Sequence, residues 1–187
     1  MKIVLASKSP RRKEILEEQG YDVVVDVSNV DEDLIKKKDV KELVMELAKL
    51  KAEAVKERHK DDIIIAADTL VYFDGKEIGQ QKSDDEAKET MEKLMGETHE
   101  VYSGVCVINT SNGKVEQDCE ISKVKLKNVP KNTLKEYIKS GQYKGKAGAY
   151  NIADPEFESF VENVEGCKFN IMGLPIEKVK MMINKVL

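Results

Sequence analysis

Hydrophobic residues recur at helical spacing in some segments of the chain and form continuous runs in others. The longest helical pattern extends from about Asp39 to Lys60, where apolar residues return every third or fourth position. Ser83 and Glu86 form a capping box at the start of another helix. The predicted helices cover residues 10–20, 39–60, 84–95 and 132–140, with a terminal helix that begins at Pro175.

Runs rich in β-branched residues predict the strands. They cover residues 2–6, 21–27, 63–73, 101–109 and 114–127, with a polar loop over Ser28–Asp33. Asp74-Gly75 and Asn112-Gly113 are hairpin turn pairs. Because strands alternate with helices and also form hairpins, we predict an α/β or α+β fold with a mixed sheet. No long linker interrupts the pattern, so we expect a single domain over residues 1–187.

Composition narrows the range of partners. The 187 residues include 31 Lys and Arg against 35 Asp and Glu, which gives a net charge of −4. Such a balance disfavours nucleic acid and anionic membranes as partners, and no apolar run approaches the roughly 20 residues that span a bilayer. We therefore expect a soluble, cytoplasmic protein that binds neither nucleic acid nor membrane.

The cysteines and histidines exclude several kinds of site. Three cysteines lie far apart, at positions 106, 119 and 167, and predict neither a disulfide framework nor a zinc site. The two histidines are too few for a histidine-rich metal site, so a metal would more readily be Mg²⁺ held by carboxylates. The chain also lacks a Walker phosphate loop and a dinucleotide-binding glycine fingerprint, which disfavours hydride transfer.

The first candidate site lies where the first strand turns into the first helix. Ser7, Ser9, Arg11 and Arg12 surround the predicted helix N-terminus. Free N–H groups, hydroxyls and guanidiniums at that position would bind an anion such as a phosphate. The alternative is a capped helix with solvated arginines.

The second candidate is Asp68, an acidic residue inside the otherwise apolar strand 63–73. A carboxylate is costly to bury unless it is paired, hydrogen-bonded or bound to a metal. Asp68 is therefore the leading candidate for a general base or a metal ligand. Alternatively, it lies at a strand edge and faces water.

Several single charges complete the candidates. Glu32, Lys51 and Lys82 are of the types that phosphoryl transfer uses to hold Mg²⁺ and to neutralise phosphate charge. The glycine-rich segment 144–150 has residues too small for a core and is a candidate site loop, in which Lys144 and Lys146 would bind phosphate. Taken singly, each of these charged residues is more typical of ordinary solvated surface.

Taken together, a series of segments resembles the Maf (septum-formation-inhibitor-like) nucleoside triphosphate pyrophosphatases. These segments follow in order along nearly the whole chain: Leu5–Arg12, Ile15–Leu16, Leu47–Ala52, Ala67–Thr69, Gly75–Gly79, His99–Val105, Gly145–Tyr150 and Gly173–Pro175. The resemblance implies an α/β fold with a mixed central sheet and flanking helices, two lobes around a cleft, and a homodimer. It also implies hydrolysis of a nucleoside triphosphate to monophosphate and pyrophosphate with Mg²⁺, Mn²⁺ or a similar cation.

The resemblance also assigns roles to single residues. Members with Ala-Asp-Thr at this position act on dTTP and UTP, and the acidic residue, here Asp68, accepts a proton. In this comparison, phosphates would be held by Ser7, Arg11 and Arg12, Glu32 would help to bind metal, and Lys51 would neutralise charge. The base would be read by Arg11, Thr69 and the residue at position 153. From the residues themselves, we also expect Ser9 and Lys146 to contact phosphate and Asp68 to share the metal with Glu32.

Two positions depart from the family pattern. Gln80 stands where the family has lysine, so either Lys82 replaces that cation or the contact is lost. Ala153 stands where the family has a base-reading glutamine, and alanine has no side chain that hydrogen-bonds a base. Two other functions therefore stay open: a pyrophosphatase for modified nucleotides, and a non-catalytic nucleotide-binding regulator of cell division.

Overall fold

The fold is described from a computed structural model, which covers residues 2–32, 35 and 39–187. Its strands are β1 (Ile3–Leu5), β2 (Val23–Val25), β3 (Ile63–Phe73), β4 (Lys76–Ile78), β5 (Thr98–Asn109), β6 (Val115–Leu126) and β7 (Val161–Glu165). Its helices are α1 (Pro10–Glu18), α2 (Val40–Lys56), α3 (Asp84–Leu94), α4 (Lys131–Lys139), α5 (Pro155–Glu158), α6 (Lys168–Ile171) and α7 (Ile176–Val186).

The strands form one sheet in the order β2-β1-β3-β5-β6-β7, with β4 paired to β3. β1 is parallel to both β2 and β3, whereas β4 and β7 are antiparallel to their partners. The prediction of an α/β fold with a mixed sheet and flanking helices is therefore confirmed. No helix in the described part of the chain is both long and apolar enough to cross a membrane.

The chain divides into two compact units. The first comprises the residues up to Asp68, Ser103–Glu120 and Gly173–Leu187, and the second comprises Thr69–Tyr102 and Ile121–Met172. The single domain expected over residues 1–187 stays a prediction.

The core of the first unit lies between helix α2 and strands β1, β3 and β5. Its fully buried residues include Val4, Ala52 and Ile64, one from each of three elements. A Cβ atom at Gly104 of β5 would lie 2.2 Å from the carbonyl oxygen of Val44 in α2. Only glycine lets the two backbones approach this closely, so Gly104 fixes the position of α2 against the sheet.

Helix starts agree with the capping signals in the sequence. The side chains of Ser9, Asp39 and Ser83 each accept a hydrogen bond from a backbone N–H three residues on. α2 ends at Lys56 rather than near Lys60, and β2 covers only the middle of the predicted strand. Asp33, the end of the predicted polar loop, lies outside the described residues.

The prediction that residues 144–150 are too small for a core is wrong. Ala149 and Tyr150 are buried in the core of the second unit, and Tyr150 stacks on Phe157 with 4.7 Å between ring centroids. Pattern analysis also missed α5, β7 and α6, which contain only four or five residues each. Elements this short carry too few residues to show a periodicity.

Candidate functional site

Asp68 and Lys51 form a buried ion pair in the first unit. The Lys51 Nζ atom lies 2.5 Å from Asp68 Oδ1, and the two side chains are 10% and 9% exposed. The water-facing alternative for Asp68 and the surface alternative for Lys51 are therefore wrong. Burying either charge alone would be strongly unfavourable, so each residue depends on its partner.

Glu32 is the second carboxylate in contact with Lys51. Its Oε1 atom lies 3.0 Å from Lys51 Nζ, and its side chain is half exposed. Lys51 extends from α2 and Asp68 from β3, whereas Glu32 lies in the segment before α2. A single ammonium group thus bridges two carboxylates that are 36 residues apart in the sequence.

Arg12 is held at the N-terminus of α1 by two oxygen atoms. Its Nε atom donates to the carbonyl oxygen of Gly173 at 2.8 Å, and its Nη1 donates to Ser7 Oγ at 3.0 Å. Ser7 is itself buried, and its Oγ also accepts the Ser9 N–H at 3.2 Å. The guanidinium is therefore oriented by the protein before any ligand arrives.

Charges of both signs meet in this cluster. Desolvation lowers the pKa of Arg12 from its ordinary value, and the charges of Asp68 and Glu32 act in the opposite direction. An arginine remains protonated under these conditions. The two cations Arg12 and Lys51 thus face the two anions Asp68 and Glu32.

Arg11 differs from its neighbour Arg12. Its Nη1 atom lies 2.9 Å from Glu14 Oε2 on the same helix. The pair is solvent-exposed, so Arg11 would need to leave Glu14 in order to bind a ligand. The alternative of solvated arginines therefore describes Arg11 better than Arg12.

In the second unit, Lys146 is paired with Asp154 rather than solvated. The two side chains are 24% and 12% exposed. The neighbouring Ala153 is exposed, and its N–H donates to Asn151 Oδ1 at 2.9 Å. Lys146 therefore already has a carboxylate partner, which it would have to leave in order to bind a phosphate.

Lys82 and Thr69 also belong to the second unit. Lys82 is exposed, and its backbone N–H donates to Glu86 Oε2 at 2.8 Å. Gln80 pairs through its backbone with Ala147 in the glycine-rich segment. Thr69 follows Asp68 directly on β3 and is partly exposed.

The structure therefore brings together one part of the predicted site. The residues that meet in the first unit are Ser7, Ser9, Arg12, Glu32, Lys51 and Asp68. The roles assigned to all predicted site residues stay predictions.

Gly173 is a site residue for which the sequence predicted no role. Its φ angle of 102° is in a region that favours glycine, and its carbonyl oxygen anchors Arg12. The signal in the sequence was the Gly173–Pro175 segment before the last helix. Only the fold shows that this segment lies beside α1, 161 residues earlier.

The donor set fits Mg²⁺ only in part. Among the residues that the structure describes, no group of three or more His, Cys, Asp and Glu could hold a metal. Glu32 and Asp68 nevertheless approach a common point, now taken by Lys51. Mg²⁺ is commonly bound by one or two carboxylates together with substrate phosphates, so this pair suits a metal that is bound with its substrate.

The sequence is similar to one well-defined family. The sequence model of the family described as Maf-like protein matches residues 2–186. A dTTP/UTP pyrophosphatase of Clostridium perfringens strain SM101 is 44% identical over 181 residues, covering 96% of this chain and 94% of that protein. A dTTP/UTP pyrophosphatase of Pyrococcus furiosus is 43% identical over 176 residues, covering 94% of this chain and 90% of that protein.

A solved structure shares the fold. A HAM1 protein from Coxiella burnetii superposes with a TM-score of 0.52 over 99% of both chains, at 14% sequence identity. A likeness at this identity concerns the fold alone. It agrees with the mixed α/β architecture described above.

Proposed function

Since this chain belongs to the Maf-like family, we propose that it hydrolyses nucleoside triphosphates, chiefly dTTP and UTP, to the monophosphate and pyrophosphate. The observation that carries the proposal is the buried Lys51–Asp68 pair beside Arg12. It combines a carboxylate base with cations that bind phosphate. The relatives from Clostridium perfringens and Pyrococcus furiosus, both named dTTP/UTP pyrophosphatase, support the choice of substrates.

In the proposed reaction, Asp68 accepts a proton from water. The water oxygen forms a bond to the α-phosphorus, and the bond between that phosphorus and the oxygen bridging to the β-phosphorus breaks. Pyrophosphate leaves with the electron pair of the broken bond. Asp68 Oδ2 orients the water, whereas Oδ1 is the oxygen that holds Lys51 in the ligand-free protein.

The cations and the helix N-terminus bind the triphosphate. Arg12 is pre-oriented by Gly173 and Ser7, and the N-terminus of α1 beside Ser9 adds backbone N–H donors. Lys51 neutralises charge that develops on the phosphates. Arg11 contributes if it leaves Glu14, and Lys146 if it leaves Asp154.

A divalent cation, Mg²⁺ or Mn²⁺, completes the proposed site. Glu32 and Asp68 would hold it together with phosphate oxygens of the substrate. When bound, it would stabilise negative charge on the phosphates as a Lewis acid.

Recognition of the base is the step most affected by the departures from the family pattern. Arg11 and Thr69 keep the residue types that the family uses, whereas Ala153 replaces the glutamine. Lys82, two positions after Gln80, is the cation nearest in sequence to the missing lysine. Ala153 favours a second candidate function, which is the hydrolysis of modified nucleotides whose base does not need that glutamine.

The test is pyrophosphate release with Mg²⁺ across dTTP, UTP, CTP, ATP, GTP, ITP and a methylated nucleotide. Asp68→Asn serves as the inactive control, and Ala153→Gln restores the family residue. We expect preference for dTTP and UTP, which Ala153→Gln sharpens. Preference for the methylated nucleotide or ITP would instead favour the second candidate.

A different result would contradict catalysis altogether. If no nucleotide releases pyrophosphate but nucleotides still raise the melting temperature, the chain is a binding regulator and the proposed function is wrong.

We also propose that the protein is a cytoplasmic homodimer that binds neither nucleic acid nor membrane. The support is the resemblance to the Maf family and the balanced charge. Sedimentation velocity tests the dimer, since a single monomeric species at micromolar concentration would contradict it.

A further inference from the structure

The Lys51 ammonium occupies the place where the two proposed metal ligands converge. Its Nζ atom lies 2.5 Å from Asp68 Oδ1 and 3.0 Å from Glu32 Oε1. These are the distances of charged hydrogen bonds to an ammonium group, and they are longer than the roughly 2.0–2.1 Å at which Mg²⁺ binds oxygen. In the ligand-free protein, the cation at that point is the lysine itself.

Lys51 is held in this position by the packing of its helix. The residue is buried on α2, and α2 is fixed against β5 by the close approach of Val44 to Gly104. The backbone of Lys51 therefore cannot withdraw without disturbing the core. A new partner for the ammonium group could draw the side chain away from the carboxylates while the backbone stays in place.

The charges of the cluster give the metal no net attraction of its own. Arg12 and Lys51 balance Asp68 and Glu32 in formal charge, and the charges of both carboxylates oppose the lowering of the Arg12 pKa by burial. A divalent cation added alone would leave two uncompensated positive charges in a largely desolvated site. A triphosphate brings several negative charges that reverse this balance.

We propose that Lys51 closes the Glu32–Asp68 pair to free divalent cations, so that the metal enters only with the triphosphate. The phosphates give the Lys51 ammonium a second partner, and the carboxylate oxygens then become available to the metal. This inference rests on the proposed function for the identity of the ligand. It adds that metal binding and nucleotide binding are coupled through one lysine.

The test is a Mn²⁺ titration of the full-length protein, followed by the electron paramagnetic resonance signal of free Mn²⁺. It is carried out with and without a triphosphate analogue whose α,β-bridge resists hydrolysis. The Mn²⁺ that the analogue binds by itself is measured in a titration without protein and subtracted. After this correction, we expect wild-type protein to bind Mn²⁺ at least about tenfold more tightly with the analogue than without it. Equal binding in both titrations would overturn the proposal, whether or not the protein hydrolyses nucleotides.

A substitution tests whether Lys51 is the reason that the nucleotide-free protein binds Mn²⁺ weakly. Lys51→Met keeps most of the side-chain volume, removes the charge and leaves the two carboxylates without their shared cation. Without the analogue, this variant should bind Mn²⁺ at least about tenfold more tightly than wild type. A folded Lys51→Met variant that binds Mn²⁺ no more tightly than wild type would contradict the role of this lysine.

Two further variants act as controls. Lys56→Met removes another lysine of α2, which pairs with Glu53, and should leave Mn²⁺ binding unchanged. The double variant Lys51→Met/Asp68→Asn should lose the tighter Mn²⁺ binding that Lys51→Met alone gains. Because Lys51→Met leaves a buried carboxylate unpaired, its fold is checked by circular dichroism, and the wild-type titrations stand if it does not fold.

The two proposals fail in different measurements. Absence of pyrophosphate release from every nucleotide contradicts the proposed hydrolysis. Tight Mn²⁺ binding by the nucleotide-free wild-type protein contradicts the role of Lys51, even in an active enzyme.

Discussion

Each unit of the molecule contains a deeply buried polar pair, and the two pairs differ in charge. In the first unit, Lys51 and Asp68 are buried as ions. In the second, His99 and Tyr150 are buried as a pair, with His99 Nε2 2.6 Å from the Tyr150 hydroxyl. Burial lowers the pKa of His99 to about 4 and raises that of Tyr150. Both groups of the second pair are therefore uncharged at neutral pH.

This difference in charge distinguishes a pair that stabilises a core from a pair that is suited to catalysis. His99 and Tyr150 pack among aromatic rings such as Phe157, and as a neutral pair they avoid the cost of burying charge. Lys51 and Asp68 incur that cost, which an apolar pair of similar size would avoid. Charge retained at such a cost is typical of a functional site.

The largest expected effect comes from neutralising the carboxylate of the charged pair. Asp68→Asn should lower kcat for dTTP or UTP by about 10²–10⁴-fold, because the proton acceptor is lost. The matched control is Asp154→Asn, which neutralises the aspartate paired with Lys146 and should change kcat by less than about tenfold. Steady-state pyrophosphate release measures both. Equal losses would remove the contrast between the two lysine–aspartate pairs.

The neutral pair should make stability depend on pH. Because the folded-state pKa of His99 is lowered to about 4, the unfolded chain binds more protons between pH 6.5 and pH 4. The stability contribution is complete above pH 6.5 and declines by about 3 kcal/mol as the pH falls to 4. Urea unfolding at pH 7, 5.5 and 4.5 measures this decline.

His99→Gln is the control for the pH effect, and its unfolding free energy should vary much less over the same range. A hydrogen bond from Arg58 lowers the pKa of Asp26 to about 2. The stability that Asp26 contributes is therefore lost only below about pH 3.8. An unchanged slope in His99→Gln would show that another group titrates in this window.

The two adjacent arginines should differ in their effect on substrate binding. Arg12→Ala should lower kcat/KM by about 10–100-fold, since a charged hydrogen bond is worth about 1.5–3 kcal/mol. Arg11→Ala should have a smaller effect because Arg11 is exposed and paired with Glu14. Lys13→Ala, which removes an exposed partner of Glu17, should leave kcat/KM unchanged. Equal losses for all three variants would contradict a specific role of Arg12 in substrate binding.

The smallest effect is expected from the residue that orients Arg12. Gly173→Ala is strained at a φ angle of 102° and should raise KM by a few-fold through a shifted Arg12. Gly113→Ala is the control, because its φ angle is 75° in the β5–β6 turn with no atom near the added methyl group. It should change the melting temperature alone.

A double variant distinguishes positioning from simple destabilisation. If Gly173 acts through Arg12, then Gly173→Ala should cause little further loss of kcat/KM in an Arg12→Ala background. Additive losses would mean that Gly173 acts on the fold and independently of Arg12.

Much of the fold was predictable because local signals were strong. Ser9 and Ser83 mark helix starts that the structure reproduces, and β3 has the predicted bounds. The segment 144–150 was misjudged because its small residues hid the contribution of Tyr150 to the aromatic core. The burial of Tyr150 depends on Phe157, Phe160 and other aromatic residues that lie outside the segment 144–150.

The candidate site was also predictable only in part. The sequence alone marked Asp68, because an acidic residue in an apolar strand is costly without a partner, and the order of its motifs indicated the family. It did not identify the partner, since Lys51 reads as surface until α2 packs on the sheet at Gly104. The pairing of Arg12 with Gly173 joins residues 161 positions apart. Periodicity and capping act over a few neighbouring residues, whereas the charge balance of the site depends on contacts that only the tertiary structure creates.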